Sequence, residues 1–313
     1  MMQKVFIDGE HGTTGLQIRE RLDRRTDIEL LSLAHGDRRS AEKRAELLRE
    51  ADIAILCLPD DAAREAVVLA ANSGTRFIDA STAHRTHEDW VYGFAEAEPG
   101  QAERIAKAQF VSNPGCYSTG AIGILRPLVA SGVLPPDYPT TINAVSGYTG
   151  GGKQMIAQME KPDAEDAITS PYFAYALTLA HKHVPEIITR SGLARRPIFT
   201  PNVSKFPQGM LVNVPLHLDL LAAGTKPSSV HEALREHYAG QRIVEVADTT
   251  EPPARLDPTE LAGTDKMRIY VCANEEAGHV NIIASLDNLG KGASGAAVQN
   301  LDIKLGVSQL ETV

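Results

Sequence analysis

The chain has 313 residues, 43% hydrophobic and 23% charged, with 31 basic and 40 acidic side chains and a formal net charge of -9. That length suggests two domains with ample core, and without a basic tract nucleic acid is not an expected partner. Three cysteines (Cys57, Cys116, Cys272), odd in number and far apart, exclude a disulfide framework and fit a reducing cytoplasmic setting, with neither a signal-peptide pattern nor a bilayer-length apolar run.

Lys4-Val5-Phe6-Ile7 reads as a strand running into Asp8-Gly9-Glu10-His11-Gly12-Thr13-Thr14-Gly15, and a periodic helix follows from Leu16 to Leu22. The spacing is G-x-x-G-x-x-G rather than G-x-G-x-x-G, but the physical need is shared: backbone passes close to a pyrophosphate, and a helix start offers its N–H groups. A plain tight turn is the alternative. A second strand, Ile28 to Ala34, leads into His35-Gly36-Asp37-Arg38-Arg39. Arg38 and Arg39 suit a 2′-phosphate and so favour NADP over NAD; otherwise they are solvated charges at a helix start.

Asp52 to Leu58 is a buried-type strand ending at Pro59, a helix from Ala63 to Ala71 follows, and Arg76 to Ser81 is the next strand. Such alternation predicts right-handed βαβ units and a parallel sheet. Phe110-Val111-Ser112 delivers the chain to Asn113-Pro114-Gly115-Cys116-Tyr117, a turn feeding a helix. A thiol there sits among unpaired N–H groups at the positive end of the helix, which favours the thiolate. Cys116 is therefore the candidate nucleophile; Cys57 and Cys272, within apolar strands, read as structural. A thiol beside a nicotinamide suits one chemistry: a thioester is reduced by hydride to an aldehyde, or the reverse.

In the second half, Thr141 to Ser146 is a strand, and Gly147-Tyr148-Thr149-Gly150-Gly151-Gly152-Lys153 is a loop that either wraps an anion or is mere surface. His181-Lys182-His183-Val184-Pro185-Glu186 puts two histidines on one side of an extended segment. One of them could shuttle a proton, with Glu186 orienting an imidazole. No metal site is expected, since further ligands are missing at zinc spacing. Strands at 198–201, 210–218, 267–273 and 280–286 and a helix at 229–238 predict an α+β domain with a mostly antiparallel sheet. Asn288-Leu289-Gly290-Lys291-Gly292 precedes a final helix from Ala296 to Leu305.

Gly9-x-x-Gly12-x-x-Gly15, Ser112-Asn-Pro-Gly-Cys116-Tyr117, Ser146-Gly147, His181-Lys-His183-Val-Pro-Glu186-Ile and Asn288-Leu-Gly-Lys291-Gly-Ala-Ser-Gly295 together resemble N-acetyl-γ-glutamyl-phosphate reductase in its shorter, second type. The resemblance covers the chain from end to end. It implies NADPH-dependent reduction of N-acetyl-L-glutamyl 5-phosphate in arginine biosynthesis, with Cys116 as nucleophile and His181 as acid/base. Asn113, Ser146, Gly147, His183 and Glu186 would lie at the substrate. Gly9, Gly12, Thr13, Thr14, Gly15, Arg38, Arg39, Leu58, Pro59, Ser81, Asn288 and Gly290 would lie at the cofactor.

The implied fold is a Rossmann-type parallel-sheet domain, 1–115 with 286–313, and an α+β catalytic and dimerisation domain, 116–285, in a homodimer or homotetramer. Aspartate-semialdehyde dehydrogenase or an aminoadipyl-phosphate reductase would share the thiol chemistry. A non-catalytic NADP-sensing protein is the reading from another class.

Overall fold

A computed structural model describes residues 2–34, 37, 40–248 and 253–307. The chain divides into two compact units, the first comprising Met1–Ala95, Gly100–Pro114 and Ala293–Val313, the second Glu96–Pro99 and Gly115–Gly292.

The first unit contains β1 (Gln3–Asp8), α1 (Thr13–Leu22), β2 (Ile28–Leu31), α2 (Ala41–Glu50), β3 (Ile53–Leu56), α3 (Asp60–Leu69), β4 (Arg76–Asp79), β5 (Val91–Tyr92), α4 (Gln101–Lys107), β6 (Phe110–Ser112) and the C-terminal helix Gly295–Leu305. Its strands form a sheet in the order β2-β1-β3-β4-β6-β5, parallel throughout. Side chains alternate across a strand, so β3 feeds two cores at once. Ile53 and Ile55 pack with Val5, Ile7, Ile18 and Leu301. Ala54 and Leu56 pack with Phe6, Leu48, Phe77 and Trp90. Cover on both faces is why β3 reads as an unbroken apolar run. Each fully buried Ile or Leu here contributes roughly 1.5–3 kcal/mol.

The second unit contains α5 (Cys116–Ala130), β7 (Thr141–Gly147), α6 (Gly152–Glu160), β8 (Tyr172–Ala174), α7 (His183–Ser191), β9 (Ile198–Ser204), β10 (Met210–His217), α8 (Pro227–His237), β11 (Val244–Val246), β12 (Met267–Asn274) and β13 (His279–Leu286). The sheet order is β11-β12-β13-β10-β7-β9-β8. Four ladders are antiparallel and two, β7/β9 and β11/β12, are parallel, as a mostly antiparallel sheet requires. On β10, Met210, Val212, Val214 and Leu216 turn inward. On the opposite face lies an open hollow of about 760 Å³, lined among others by Tyr138, His217, Cys272, Asn274, His279 and Asn281.

Three segments differ from the sequence reading. The glycine-rich stretch after β7 is not an open loop: Tyr148–Gly151 forms a 3-10 turn and α6 begins at Gly152, leaving Lys153 exposed on that helix. The histidine segment is not extended, because His183 opens α7. The return to the first unit falls at Ala293 rather than 286. There the Asp287 carboxylate accepts from Gln208 (2.9 Å) and the Leu289 N–H (2.8 Å), and also from the Gly263 N–H (2.5 Å), which binds the segment to the second unit.

Candidate active site

In the first unit, the turn between β1 and α1 shows what each glycine does. Gly9 has φ +91°, and a Cβ there would strike the Cys57 carbonyl. A Cβ at Gly15 would strike the Gly9 carbonyl, whereas one at Gly12 would stand 3.5 Å from it, an ordinary contact. Chain packing therefore demands Gly9 and Gly15. Gly12 is the one that leaves backbone open to a ligand, the division of labour expected of a dinucleotide turn. Gly12 caps α1, which has no side-chain cap and no acidic residue in its first turn. Thr13 Oγ1 is buried and without a hydrogen-bond partner. Bare N–H groups and an unsatisfied hydroxyl fit a pyrophosphate. Gly15→Ala is expected to cost about 1–3 kcal/mol in stability and to weaken NADPH binding, measured by denaturant unfolding and fluorescence titration.

The cleft beside this turn holds about 290 Å³ and is lined by Asp8, Gly9, His11, Gly12, Arg44 and Leu58, among others. Arg44 grips the Asp8 carboxylate through Nη2 (2.9 Å) and Nε (3.2 Å). No motif in the sequence pointed to this pair. Pro59 is the N-cap of α3. Ser81 is turned inward: its hydroxyl donates to Asp79 Oδ2 at 2.7 Å and accepts from the Ala83 N–H at 3.1 Å. Burial, with the Asp79 and Asp8 charges adding to it, pushes the Cys57 thiol up to about 12, which disfavours its thiolate. Arg38 and Arg39 lie outside the described residues.

The Asn113 amide is engaged within the first unit. Its Nδ2 donates to the Ala293 carbonyl (2.9 Å) and its Oδ1 accepts from Asn300 Nδ2 (3.0 Å). A buried loop must satisfy its polar groups internally, and Asn113 does so for the end of β6.

In the second unit, Gly115 is the N-cap of α5 and Cys116 its first residue, with no acidic residue of its own sequence in that turn. The thiol residue is half-buried, which suits a reactive cysteine better than full enclosure would. Glu186, 2% exposed, comes to the same turn from α7. Its Oε1 accepts from the Gly115 N–H (2.9 Å) and its Oε2 from Ser118 Oγ (2.8 Å). Both carboxylate oxygens thus bind the start of the nucleophile's helix, and the Glu186 charge also acts on the His181 ring.

The His181 and His183 rings are both buried and meet edge to face, centroids 4.7 Å apart. The His183 N–H donates to His181 Nδ1 at 3.1 Å. Nδ1 is thus an acceptor, and a neutral His181 ring carries its proton on Nε2. Nε2 reaches Tyr175 Oη at 3.2 Å. Burial holds His181 down to about 4, with Lys182 lowering it further and Glu186 opposing. Burial also raises Tyr175 to about 12, with the Cys116 charge adding to the rise and a Tyr117 hydrogen bond opposing it. Tyr117, next to the nucleophile, donates to the Asn202 carbonyl (2.8 Å) and stands edge-on to Phe199. Tyr175 carried no motif signal, and only its place beside His181 reveals it.

The remaining expected contacts are engaged within the second unit. Ser146 is buried and donates to the Gly147 carbonyl (3.0 Å). A Cβ at Gly147 would meet Pro207 O, and one at Gly290 would meet Thr264 O, so backbone packing accounts for both glycines. Asn288 Oδ1 accepts from the Gly209 N–H (2.9 Å) and its Nδ2 donates to Thr149 Oγ1 (3.0 Å).

Residues 116–288 match the semialdehyde dehydrogenase dimerisation domain, and residues 36–107 match the semialdehyde dehydrogenase NAD binding domain. An N-acetyl-gamma-glutamyl-phosphate reductase of Sinorhizobium fredii is 60% identical over 306 residues, covering 97% of this chain and 99% of that one. One of Rhizobium meliloti is 59% identical over 308 residues, with the same shares covered. Among solved structures, aspartate semialdehyde dehydrogenase II of Vibrio cholerae superposes with a TM-score of 0.74 at 16% identity, over 98% of this chain and 99% of that chain. The enzyme of Francisella tularensis gives 0.73 at 13% identity, over 96% and 99%; at such identities the likeness shows the fold. By its sequence relatives, the chain belongs to the N-acetyl-γ-glutamyl-phosphate reductase family of semialdehyde dehydrogenases.

Proposed function

We propose that the chain reduces N-acetyl-L-glutamyl 5-phosphate with NADPH, giving N-acetyl-L-glutamate 5-semialdehyde and phosphate, by way of a thioester on Cys116, within arginine biosynthesis. The Cys116 thiolate attacks the acyl carbon, a C–S bond forms, the C–O bond to phosphate breaks, and phosphate leaves with the electron pair. Bound NADPH supplies the hydride that reduces the thioester. The neutral His181 ring offers its Nε2–H as a hydrogen bond to the oxygen that gains charge; when that oxygen reforms the carbonyl the C–S bond breaks, releasing the aldehyde and returning the Cys116 thiolate. The Gly9–Gly15 turn, with Thr13 Oγ1, holds the pyrophosphate.

The observation that carries this reading is a half-buried thiol opening a 15-residue helix, in the same unit as a ring whose only protonated nitrogen is Nε2. The test is a phosphate-dependent assay with NADP⁺, comparing kcat/KM for N-acetylglutamate semialdehyde and aspartate semialdehyde. The acetylated aldehyde is expected to be preferred, and preference for aspartate semialdehyde would reassign the substrate.

NADP selectivity rests on Arg38 and Arg39. Replacing both with Ala is expected to raise the KM for NADPH far more than that for NADH, and equal effects would remove the 2′-phosphate role. We read the working form as a homodimer or homotetramer in the cytoplasm. The dimerisation-domain match over 116–288 and the open, mostly uncharged sheet face around His217 and His279 support self-association. Among the described residues no helix is long and apolar enough to cross a membrane.

A further inference from the structure

We propose that Glu186 is a positioning residue that fixes the Cys116 turn and opposes ionisation of its thiol. The inference rests on the thioester chemistry proposed above. A helix N-terminus stabilises a thiolate through the positive end of its dipole, and α5 supplies one at Cys116. That same positive end is already occupied, because the Glu186 carboxylate takes the Gly115 N–H at 2.9 Å and the Ser118 hydroxyl at 2.8 Å. Glu186 also lies in the first turn of α7, so one buried anion bridges the starts of two helices. It ties the helix that bears the nucleophile to the helix that begins at His183.

A second anion forming on Cys116 would be the next residue to an N–H bound by the first. A like charge nearby disfavours ionisation of the later one.

The neighbouring tyrosines carry no opposing charge. Tyr117 and Tyr175 are near enough for a thiolate to raise both, and both remain protonated. His181 is neutral at ordinary pH. His183 packs against Tyr117, with centroids 5.9 Å apart. Gly292 approaches Cys116 closely, but its neighbour Lys291 is paired with Glu96 at 2.6 Å. Lys182 is exposed.

The consequence is a resting thiol that is less open to oxidation and alkylation than a bare helix N-terminus would make it.

The experiment follows the pH dependence of alkylation by iodoacetamide, with the labelled peptide identified by mass spectrometry, for the wild type, Glu186→Gln and Ser118→Ala. Glu186→Gln keeps an acceptor for the Gly115 N–H and removes the charge. Its alkylation midpoint is expected about one pH unit below the wild type. At pH 7 the tenfold gain in thiolate, offset by lower intrinsic nucleophilicity, amounts to roughly threefold faster labelling. Ser118→Ala keeps the charge and should leave the midpoint near the wild-type value.

An unshifted or raised midpoint in Glu186→Gln would overturn the proposal, as would an equal shift in Ser118→Ala. Should Glu186→Gln fail to fold by circular dichroism, Glu186→Asp decides: its carboxylate is withdrawn by one methylene, so a partial fall supports the proposal and none refutes it. The readout needs no turnover. A wild type that labels as expected but reduces no acyl phosphate would sink the proposed reaction and leave this inference standing.

Discussion

Cys116→Ser is expected to abolish turnover, by on the order of 10⁴–10⁶ in kcat, while NADPH binding survives. Serine is nearly isosteric and is a good residue for a helix start, so α5 and its Glu186 contacts should persist. The hydroxyl, however, lies far above neutrality in acidity, and the helix dipole that serves a thiol cannot bring it within range. Cofactor affinity should hold because the glycine turn belongs to the other compact unit. Fluorescence titration with NADPH and single-turnover assays separate the two quantities. Unchanged turnover would remove Cys116 as nucleophile, and loss of both properties would indicate misfolding instead.

His181→Asn is expected to lower kcat by roughly 10²–10³, with a smaller change in KM, since it removes a hydrogen bond to the oxygen that gains charge rather than a ground-state binding contact. His183→Asn is the control, because a large kcat loss there alone would reverse the assignment of the two rings. A pH signature accompanies the substitution. The folded ring stays neutral down to about 4, against an ordinary 6.5. As pH falls from 6.5 towards 4, the unfolded chain binds a proton that the folded ring refuses, so stability declines across that window. Above 6.5 the ring is neutral in both states and contributes no slope. His181→Asn should flatten this part of the stability profile, measured by urea unfolding at stepped pH.

Much of this is legible in the sequence alone. β1, β3, β4 and β6 announce themselves as apolar runs because helices cover both faces of their sheet, and Cys116 stood out because Pro and Gly precede it at a helix start. Other elements gave little signal. Only Ala45 and Leu48 of the charged α2 are buried, while β5 has two residues and β8 three. The glycines of 147–152 read as loop, since glycine outweighs the helix-forming run Lys153 to Glu160 in local punctuation. Pro185 likewise suggested an extended segment, although proline is tolerated in a helix's first turn, where it stands in α7.

The site's outline was readable, but its internal wiring was not. Glu186 and Gly115 are 71 positions apart, and no local pattern pairs them. Asn113, Ser81 and Asn288 were expected at ligands because polar residues within motifs suit that role. They suit equally the satisfaction of buried neighbours, and their side chains are engaged there.

The most direct measurement of the central claim is a burst experiment. The enzyme is mixed with N-acetylglutamate semialdehyde and NADP⁺ in phosphate-free buffer, followed at the NADPH absorbance, then quenched in acid for peptide mass spectrometry. The expected result is one NADPH per active subunit, followed by a slow phase, with the N-acetylglutamyl group on the peptide bearing Cys116. No burst, or an acyl group carried by any other residue, would contradict the account.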